Sequence, residues 1–449
     1  MSVNIVEKKD VMMKSVKISP STLLVSVYGL FIVLGACLLK LPISTTAPIR
    51  WVDALFTSAS AMTVTGLGVV DTGTHFTKVG QLIIMGLIQV GGLGIMSFGV
   101  LIFIMLGKKI GLKQRLAMQE ILNQVHVGGV IRLVKYLFIF SLTIESIAAV
   151  ILAIKWVPEL GWKDGLFSSF FHAVSAFNNA GFALWPDNLS RYVGSPLVNL
   201  TITSLIILGG IGFTVIIDVW EKRSWKKLSL HTKVMLSATF CINIIGLLFF
   251  FFLESGNVKT IGAMPLSDQL WASYFQSVTT RTAGFNTVDL SGLENSTAFF
   301  MMILMFIGAG SGSTGGGIKL TTFVIMLVTM LTYVKGKKDI HMFERTLRSD
   351  HLLRVLSITM VSTFVVVAGV LIINITEPLP FLPLMFEVVS AFGTVGLSMG
   401  ITASLSTIGK LVIIAIMITG KVGPLSLVYI LARKQDQKFK YPTEDILTG

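Results

Sequence analysis

Four short stretches, each built around one glycine, decide the fold of this chain: TVTGLGVVD (63–71), FNNAGFALWPD (177–187), TTRTAGFNTVD (279–289) and FGTVGLSMG (392–400). The shared glycines, Gly66, Gly181, Gly284 and Gly396, are separated by 115, 103 and 112 residues. An aromatic residue stands ten positions before each of them, and Leu or Phe follows directly. Because this period is too long for a solenoid, it indicates that one unit is present in four copies.

Apolar runs flank each of these stretches. Eight runs are long enough to cross a hydrocarbon core of roughly 30 Å at about 1.5 Å per residue. They cover 22–39, 80–106, 136–154, 197–219, 234–253, 296–334, 355–375 and 411–431. Shorter apolar stretches, typical of re-entrant segments, cover 53–66, 166–181, 270–284 and 384–396. The order span, re-entrant segment, span therefore occurs four times.

The composition excludes an ordinary soluble protein. Of 449 residues, 53% are hydrophobic and 13% charged, and the mean hydropathy is +0.80; soluble proteins carry about twice that charged fraction. A net charge of +13 would indicate nucleic-acid binding only on a water-soluble domain, and none is visible. Cys37 and Cys241 do not form a disulfide framework or a zinc pattern. We expect an integral membrane protein in the lipid bilayer, with no nucleic-acid partner and no covalently bound cofactor.

The basic residues predict the orientation in the membrane. Of 36 Lys and Arg residues, 25 lie in the N-terminal arm and in the segments 108–135, 222–233, 335–354 and 433–440. The positive-inside rule places these segments and both termini in the cytoplasm, so the re-entrant segments enter from outside. The first apolar run also resembles a signal peptide, but the segments that follow it are apolar rather than a secreted domain.

The predicted fold class is therefore all-α integral membrane protein. Four span–pore loop–span repeats are arranged with pseudo-fourfold symmetry, giving eight transmembrane helices and four re-entrant pore helices. The predicted divisions are a cytoplasmic N-terminal arm (1–21), repeats at 22–107, 108–221, 222–335 and 336–433, and a cytoplasmic C-terminal tail (434–449).

The four glycine stretches have the properties of an ion filter. A short helix directs its C-terminal carbonyl groups at the membrane centre, and a returning strand can present backbone carbonyl groups inward. Four such strands form a ring of oxygens that replaces the hydration shell of a monovalent cation. A single glycine can equally well only end a helix, but four at matching positions favour a pore. The residues predicted to bind a monovalent cation through their carbonyl groups are Val64, Thr65, Gly66, Asn179, Ala180, Gly181, Thr282, Ala283, Gly284, Thr394, Val395 and Gly396.

The four loops, the TRTAGFNTVD stretch (280–289) and the run GAGSGSTGGGIK (308–319) resemble the membrane subunits of Ktr-type bacterial potassium uptake systems, within the Trk, Ktr and HKT superfamily. The resemblance covers about 22–433. It implies a pseudo-fourfold pore in each protomer, a homodimer, a cytosolic ring of nucleotide-binding regulatory subunits and a place in the bacterial plasma membrane. Sodium-preferring relatives often have serine at the first filter glycine, so Gly66 favours potassium, with sodium as a candidate activator.

Three of the stretches carry an acid five or six residues after the glycine, at Asp71, Asp187 and Asp289, and the fourth carries none. These acids either form an extracellular mouth that concentrates cations or cap extracellular turns. The residues alone do not choose between the two roles.

The glycine-rich run predicts a break in the third inner span, because consecutive small residues are poor helix formers. We expect a gating loop below the filter, formed by Gly308, Gly310, Gly312, Gly315, Gly316, Gly317, Lys319 and Lys421. The GxGxxG pattern within the run is not a dinucleotide site, since no strand precedes it. Lys421, where the family usually has arginine, either takes part in gating or snorkels. Glycines of the other inner spans are expected to serve close packing.

Two further charges need partners. Arg281 lies three residues before Gly284, where it would repel a permeant cation, so we expect it to point behind the filter and pair with an acid, Glu387 being the candidate. Glu145 lies inside a span, where ionisable groups are functional by default. It either balances one of the lysines or is a buried structural acid.

These features predict potassium uptake through a selectivity-filter pore. The alternative is a coupled symporter, moving potassium with sodium or protons, with broken helices and a midplane site; such folds have two repeats rather than four. An enzyme is not expected, because the histidines are scattered and no HExxH motif is present.

Overall fold

The computed structural model describes residues 20–94, 130–337, 339–347, 350–423 and 444, so the basic segment 108–129 and nearly all of both predicted terminal segments lie outside the described residues. The described chain is mostly helical. Its helices are α1 (Pro20–Leu39), α2 (Trp51–Met62), α3 (Thr72–His75), α4 (Lys78–Leu93), α5 (Val130–Leu160), α6 (Trp162–Phe177), α7 (Pro196–Gly210), α8 (Phe213–Lys222), α9 (Leu230–Glu254), α10 (Leu266–Thr279), α11 (Asn295–Phe306), α12 (Leu320–Val334), α13 (Asp350–Thr376), α14 (Phe381–Gly393) and α15 (Thr407–Val422). A two-stranded antiparallel pair, β1 (His341–Met342) and β2 (Arg345–Thr346), follows α12.

Four of the described helices are long and apolar enough to cross a membrane. Their spans are Thr22–Leu39, Val134–Leu160, Leu230–Glu254 and Leu352–Thr376. Large apolar side chains on their outer faces are exposed, for example Val150, Phe252 and Phe364 at 67%, 72% and 73%. Such faces are unfavourable in water and suit lipid chains. The chain is therefore a multi-pass membrane protein.

Four shorter helices, α2, α6, α10 and α14, each follow one of these long helices and pack against it. Proline precedes two of them, Pro265 before α10 and Pro380 before α14, and proline is compatible with the start of a helix but not with its interior. Each short helix ends three to five residues before one of the four glycines. The four helices thus present their glycines in equivalent local settings.

The predicted span 197–219 is not one continuous helix. It consists of α7 and α8, which are bent by 94° with respect to each other. Gly212 lies at the bend with φ +101°, a conformation that glycine adopts readily. The backbone N–H of Phe213 is not bonded within α7 but donates to the carbonyl of Gly312 at 3.1 Å, so a tertiary contact replaces the helical one.

The other inner spans also stop being helical near a glycine. α4 is followed by Gly94 at φ +86°, and α15 by Gly423 at φ +93°. The predicted continuations to 106 and 431 lie outside the described residues, so the total of eight spans stays a prediction. In the third unit α11 ends at Phe306 and α12 begins at Leu320; the helix breaks where the glycine-rich run predicted it.

Glycines of three inner helices serve close packing, as expected from the sequence. A Cβ atom at any of them would overlap the backbone carbonyl of the residue four positions before a filter glycine. The pairs are Gly91 with Met62, Gly209 with Phe177 and Gly420 with Phe392. These contacts bring the inner helices directly against the ends of α2, α6 and α14.

Candidate functional site

The four repeated glycines meet and form a closed ring. A Cβ atom on each would collide with the carbonyl oxygen of the residue before the next glycine, at 2.5 Å for Gly66 and 2.9 Å for Gly181. The pairs are Gly66 with Ala180, Gly181 with Ala283, Gly284 with Val395, and Gly396 with Thr65. Since the last pair returns to the first unit, the contacts close. We call these eight residues the glycine ring.

The backbone of each filter stretch is strained in the same way. The four glycines have φ between +68° and +92°. The residues two positions earlier also have positive φ: Val64 (+53°), Asn179 (+58°), Thr282 (+67°) and Thr394 (+49°). Positive φ is a genuine outlier for β-branched residues and costs roughly 1–3 kcal/mol at each position. Because such strain clusters at ligand sites, its fourfold occurrence makes the ring the candidate functional site. All of the residues predicted for the filter lie in or next to it.

The ring is supported from behind by the short helices. The N–H groups of Thr65, Ala180 and Val395 each donate to a carbonyl of the preceding helix at 2.8 Å. The Asn179 amide and the Thr282 hydroxyl are hydrogen-bonded at 3.1 Å in either orientation of the amide. Both side chains are fully buried. These bonds and this packing compensate the strain and leave the ring itself lined by backbone.

On one side of the ring lies a cavity of about 280 Å³, lined by all four filter glycines. Of the three predicted mouth acids, Asp71 lines it, and Asp71 also accepts from the N–H of Thr74 at 2.8 Å as a helix cap. Ser398 and Thr402 line it in the fourth unit. Their hydroxyls donate to Glu387, at 2.7 and 2.5 Å, so a buried carboxylate supports the loop that carries no acid of its own.

The other two mouth acids act locally. Asp289 accepts from the N–H of Ser291 at 2.9 Å and caps a short 3₁₀ helix. Asp187 forms an ion pair with Arg191 at 2.7 Å, and both side chains are largely exposed. The hydrogen bond from Arg191 lowers the pKa of the Asp187 carboxyl below its usual value. Capping and local pairing therefore account for these two residues.

On the other side of the ring lies the non-helical segment 307–319, which contains the six predicted gate glycines. The hydroxyls of Thr282 and Thr394 occupy the positions that a Cβ on Gly315 or Gly316 would need. The N–H of Gly316 donates to the Thr394 hydroxyl at 3.0 Å. The segment is therefore in direct contact with two of the strained filter residues.

Single hydrogen bonds to several helices hold this segment, including the bond that Gly312 accepts from Phe213 of α8. Its backbone donates to Gly210 at 2.8 Å, to Gly209 at 3.2 Å and to Gly420 at 3.3 Å. Two lysine ammonium groups donate to its carbonyl groups, Lys319 to Gly315 at 2.7 Å and Lys421 to Thr314. The structure thus brings both predicted gating lysines to the glycine-rich segment.

The predicted pairing of Arg281 with Glu387 is wrong. Glu387 is engaged by Ser398 and Thr402, whereas the Arg281 guanidinium donates to the Thr239 hydroxyl of α9 at 3.5 Å. Arg281 is only 7% exposed, so it does point behind the filter as expected. Among the described residues, the Arg281 guanidinium therefore contacts a hydroxyl group rather than an acid.

Glu145 does not contact either gating lysine. It is fully buried and accepts from Gln89 of α4 at 3.1 Å and from Asn178 at 3.2 Å. Asn178 directly precedes the strained Asn179. Of the two roles considered for Glu145, the contacts match the buried structural acid, which joins α4 and α5 to the second filter stretch.

One buried ion pair was missed at the sequence level. Lys410 of α15 is 1% exposed and donates to Asp53 of α2 at 2.8 Å, while Asp53 also pairs with Arg50. The only sign of this ion pair in the sequence is Lys410 itself, which stands at the edge of the apolar run 411–431. Its partner lies 357 residues away in the chain, a separation that no local pattern predicts.

Comparison with known proteins agrees with this architecture. Residues 28–441 match the TrkH family model, described as a cation transport protein. The chain is 54% identical to the Ktr system potassium uptake protein B of Bacillus subtilis, over 98% of this chain and 99% of that protein. It is 44% identical to the protein of the same name from Vibrio alginolyticus, over 96% and 95%, and 39% identical to the potassium/sodium uptake protein NtpJ of Enterococcus hirae, over 96% and 98%.

The fold also matches a solved structure. The potassium transporter TrkH from Vibrio parahaemolyticus superimposes with a TM-score of 0.75, covering 95% of this chain and 86% of that one, at 19% sequence identity. These relatives are transporters rather than enzymes. The family model matches most of the length, and one relative is 54% identical over nearly the whole chain. The chain therefore belongs to the TrkH family of cation transport proteins.

Proposed function

We propose that this protein takes up potassium through a pore whose selectivity filter is the glycine ring. The observation that carries the proposal is the closed contact of each filter glycine with the carbonyl group before the next one. A ring of backbone carbonyl groups can replace the hydration shell of a bare cation. The names of the Ktr relatives as potassium uptake proteins support the same function.

The proposed architecture is four span–pore loop–span repeats around one axis, with eight transmembrane helices and α2, α6, α10 and α14 as re-entrant pore helices. The repeated order of long helix and short helix supports this arrangement, as does the repeated strain at the four filter stretches. The short helices end at the ring, so the partial negative charge of their C-terminal carbonyl groups favours a cation there.

Segment 307–319 is the proposed gate. It contacts Thr282 and Thr394 on one side of the ring. Lys421 of α15 donates to its Thr314 carbonyl, and Lys319 donates to Gly315 within the segment. Movement of the segment away from the ring would open the path. The two cationic groups beside the path would also oppose passage of a cation while the segment is in place.

Potassium is the preferred ion in this proposal, and sodium at most an activator. Gly66 has φ +92°, and a Cβ there would lie 2.5 Å from the carbonyl oxygen of Ala180. A serine at this position would therefore displace one of the carbonyl groups of the ring.

The protein is proposed to act with partners. The relatives are named as one component of a Ktr system, which supports a separate regulatory component. A homodimer with a cytosolic ring of nucleotide-binding subunits is the arrangement that we propose. Exposed basic side chains of the segment after α12, such as Lys335, Lys337 and Arg345, are candidates for contact with that ring.

The test is rescue of a potassium-uptake-deficient bacterium at low potassium. Alanine is placed in turn at Gly66, Gly181, Gly284 and Gly396, and each variant is expected to lose rescue. Gly29→Ala and Gly86→Ala are matched controls, because a Cβ at either helix position meets no atom within 4 Å. Full rescue by all four ring variants would refute the filter. Uptake that requires stoichiometric sodium or proton entry would favour the coupled symporter instead.

A further inference from the structure

Each short helix carries one buried hydroxyl group beside its filter stretch. Ser60, Ser175, Thr279 and Ser390 are all fully buried, and each stands five or six residues before its glycine. Their hydroxyls all reach the filter backbone, but they do not bind the same group.

In the first and fourth units the hydroxyl accepts a hydrogen bond. Ser60 accepts from the N–H of Gly66 at 3.0 Å, and Ser390 accepts from the N–H of Gly396 at 3.1 Å. These N–H groups belong to the peptide units whose carbonyl groups are those of Thr65 and Val395, two members of the glycine ring. Because N–H and C=O point in opposite directions in a trans peptide, anchoring the N–H at the helix directs the carbonyl away from it.

In the second and third units the hydroxyl donates instead. Ser175 donates to the carbonyl of Phe182 at 2.8 Å, and Thr279 donates to the carbonyl of Phe285 at 2.6 Å. These carbonyl groups follow the filter glycine rather than precede it. They are turned back toward the short helices, and the peptide N–H that follows points the other way. The residue after the glycine matches this division, since it is Phe in these two units and Leu in the others.

We propose that these four hydroxyls are positioning residues that divide the filter into two unlike halves. Ser60 and Ser390 aim the Thr65 and Val395 carbonyl groups at the permeant ion and so contribute to potassium over sodium selectivity. Ser175 and Thr279 hold the carbonyl groups of Phe182 and Phe285 out of the path at the outer end of the filter. This inference rests on the proposed filter and specifies how its symmetry is lowered.

The two halves lie side by side in the ring. The first and fourth units are neighbours because Gly396 contacts Thr65, and the second and third are neighbours because Gly181 contacts Ala283. The fixed carbonyl groups therefore come from one half of the ring. In the other half, the side chains of Asn179 and Thr282 bond to each other. This bond stands in place of the bonds that Ser60 and Ser390 accept from the glycine N–H groups.

The experiment measures the ratio of potassium to sodium uptake in cells that carry single variants. Ser60→Ala and Ser390→Ala are each expected to lower this ratio about fivefold, which corresponds to the loss of one hydrogen bond of about 1 kcal/mol. Ser175→Ala and Thr279→Val are expected to leave the ratio within about twofold, because the carbonyl groups that they release are not part of the ring. The ratio does not depend on how much protein reaches the membrane.

Matched controls separate positioning from packing. Ser58→Ala removes an equally buried hydroxyl of α2 that donates to Ile32 at 2.7 Å rather than to the filter, so the ratio should not change. Ser60→Thr keeps the hydroxyl oxygen and should give the same ratio of potassium to sodium uptake as the parent protein. A fall of the ratio in Ser58→Ala, equal falls in all four hydroxyl variants, or no fall in Ser60→Ala would each overturn the inference.

Gly66→Ser distinguishes this inference from the proposed function. If Gly66→Ser lowers the ratio while Ser60→Ala and Ser390→Ala do not, the filter stands and the division into halves is wrong. If Gly66→Ser leaves the ratio unchanged, the assignment of the filter itself fails.

Discussion

The glycine ring and the segment 307–319 lie against each other and are both rich in glycine, but their glycines are not placed alike. In the ring, each glycine touches the backbone of the next unit, so any side chain would collide with it. In the segment, Gly308 and Gly310 are also packed against backbone carbonyl groups, whereas Gly312 has positive φ and no atom within 4 Å of an added Cβ. Glycine therefore permits close approach throughout the ring, and at Gly312 it permits a backbone conformation without close contact.

The two regions also differ in what holds them. The ring is backed by four buried helix ends and by backbone bonds of 2.8 Å in three of its units. The segment is held by single bonds to separate helices and by Lys421 of α15, while Lys319 bonds within the segment itself. A filter must keep its geometry while ions pass, whereas a gate must move. The comparison therefore supports the proposal that the ring is the filter and the segment the gate.

The largest expected effect comes from adding one methyl group to the ring. Gly396→Ala places a Cβ against the carbonyl of Thr65 at φ +89°, and we expect loss of uptake and destabilisation by about 3 kcal/mol or more. Gly312→Ala, with positive φ but open space, should cost only about 1 kcal/mol. Potassium uptake and thermal unfolding of the purified protein measure both. Equal losses would erase the contrast between the two regions.

The next effect concerns the support of the first short helix. Lys410→Met leaves Asp53 buried without its partner from α15, which should cost about 3 kcal/mol. Lys155→Met breaks a pair with Glu159 in which both side chains are more than a third exposed, and it should cost less than about 1 kcal/mol. If the unfolding temperature falls no further in Lys410→Met than in Lys155→Met, the ion pair of Lys410 with Asp53 does not support the first short helix.

A smaller change should release the segment without disturbing the ring. Lys421→Met removes the ammonium group that donates to Thr314. We expect faster potassium uptake, by about tenfold for a hydrogen bond from a charged group, with the potassium to sodium ratio unchanged. Lys259→Met, at an exposed position between α9 and α10, is the control. A changed ratio would show that the segment belongs to the filter, and slower uptake would contradict the gating role.

The smallest effect is predicted at the outer loop. Asp187 has a pKa lowered by Arg191, so the pair stabilises the folded protein above the ordinary pKa of aspartate and loses that contribution as the pH falls through the lowered value. Asp187→Asn should lower the free energy of unfolding at pH 7 by less than about 1 kcal/mol, because the pair is exposed. The unfolding temperature should therefore fall only slightly. Variant and parent should converge in strong acid. Lower uptake at pH 7 with unchanged stability would instead assign Asp187 to the ion path.

The sequence predicts the regions that depend on repeated local patterns. The filter glycines were found because the same motif occurs four times, and the break at 307–319 because a run of glycines is a poor helix. The bend at Gly212 was missed because glycines close together in an inner span, here Gly209, Gly210 and Gly212, also serve close packing. The hydrogen bond that replaces the helical one is made with the distant Gly312. The positive φ of Val64 was also unforeseen, because β-branched residues favour extended backbone and only the completed ring compensates the strain.

Contacts between residues far apart in the chain could not be predicted from the sequence, for the same reason. Arg281 was expected to need an acid, but the fold provides a hydroxyl from α9, and Glu387 is taken up by its own loop. The contact between Lys410 and Asp53 joins the two ends of the chain. Such contacts follow from how the four units close on each other, which no single stretch specifies.

The contact between Gly396 and Thr65 has a consequence for biosynthesis. The ribosome makes the first unit long before the fourth, so the nascent chain holds an open arc of three filter stretches until the last one has entered the membrane. Asp53 likewise has no partner from α15 until Lys410 has been synthesised. Closure of the glycine ring is therefore a late, all-or-none event, and a chain truncated before α14 would hold three of the filter stretches but no closed ring.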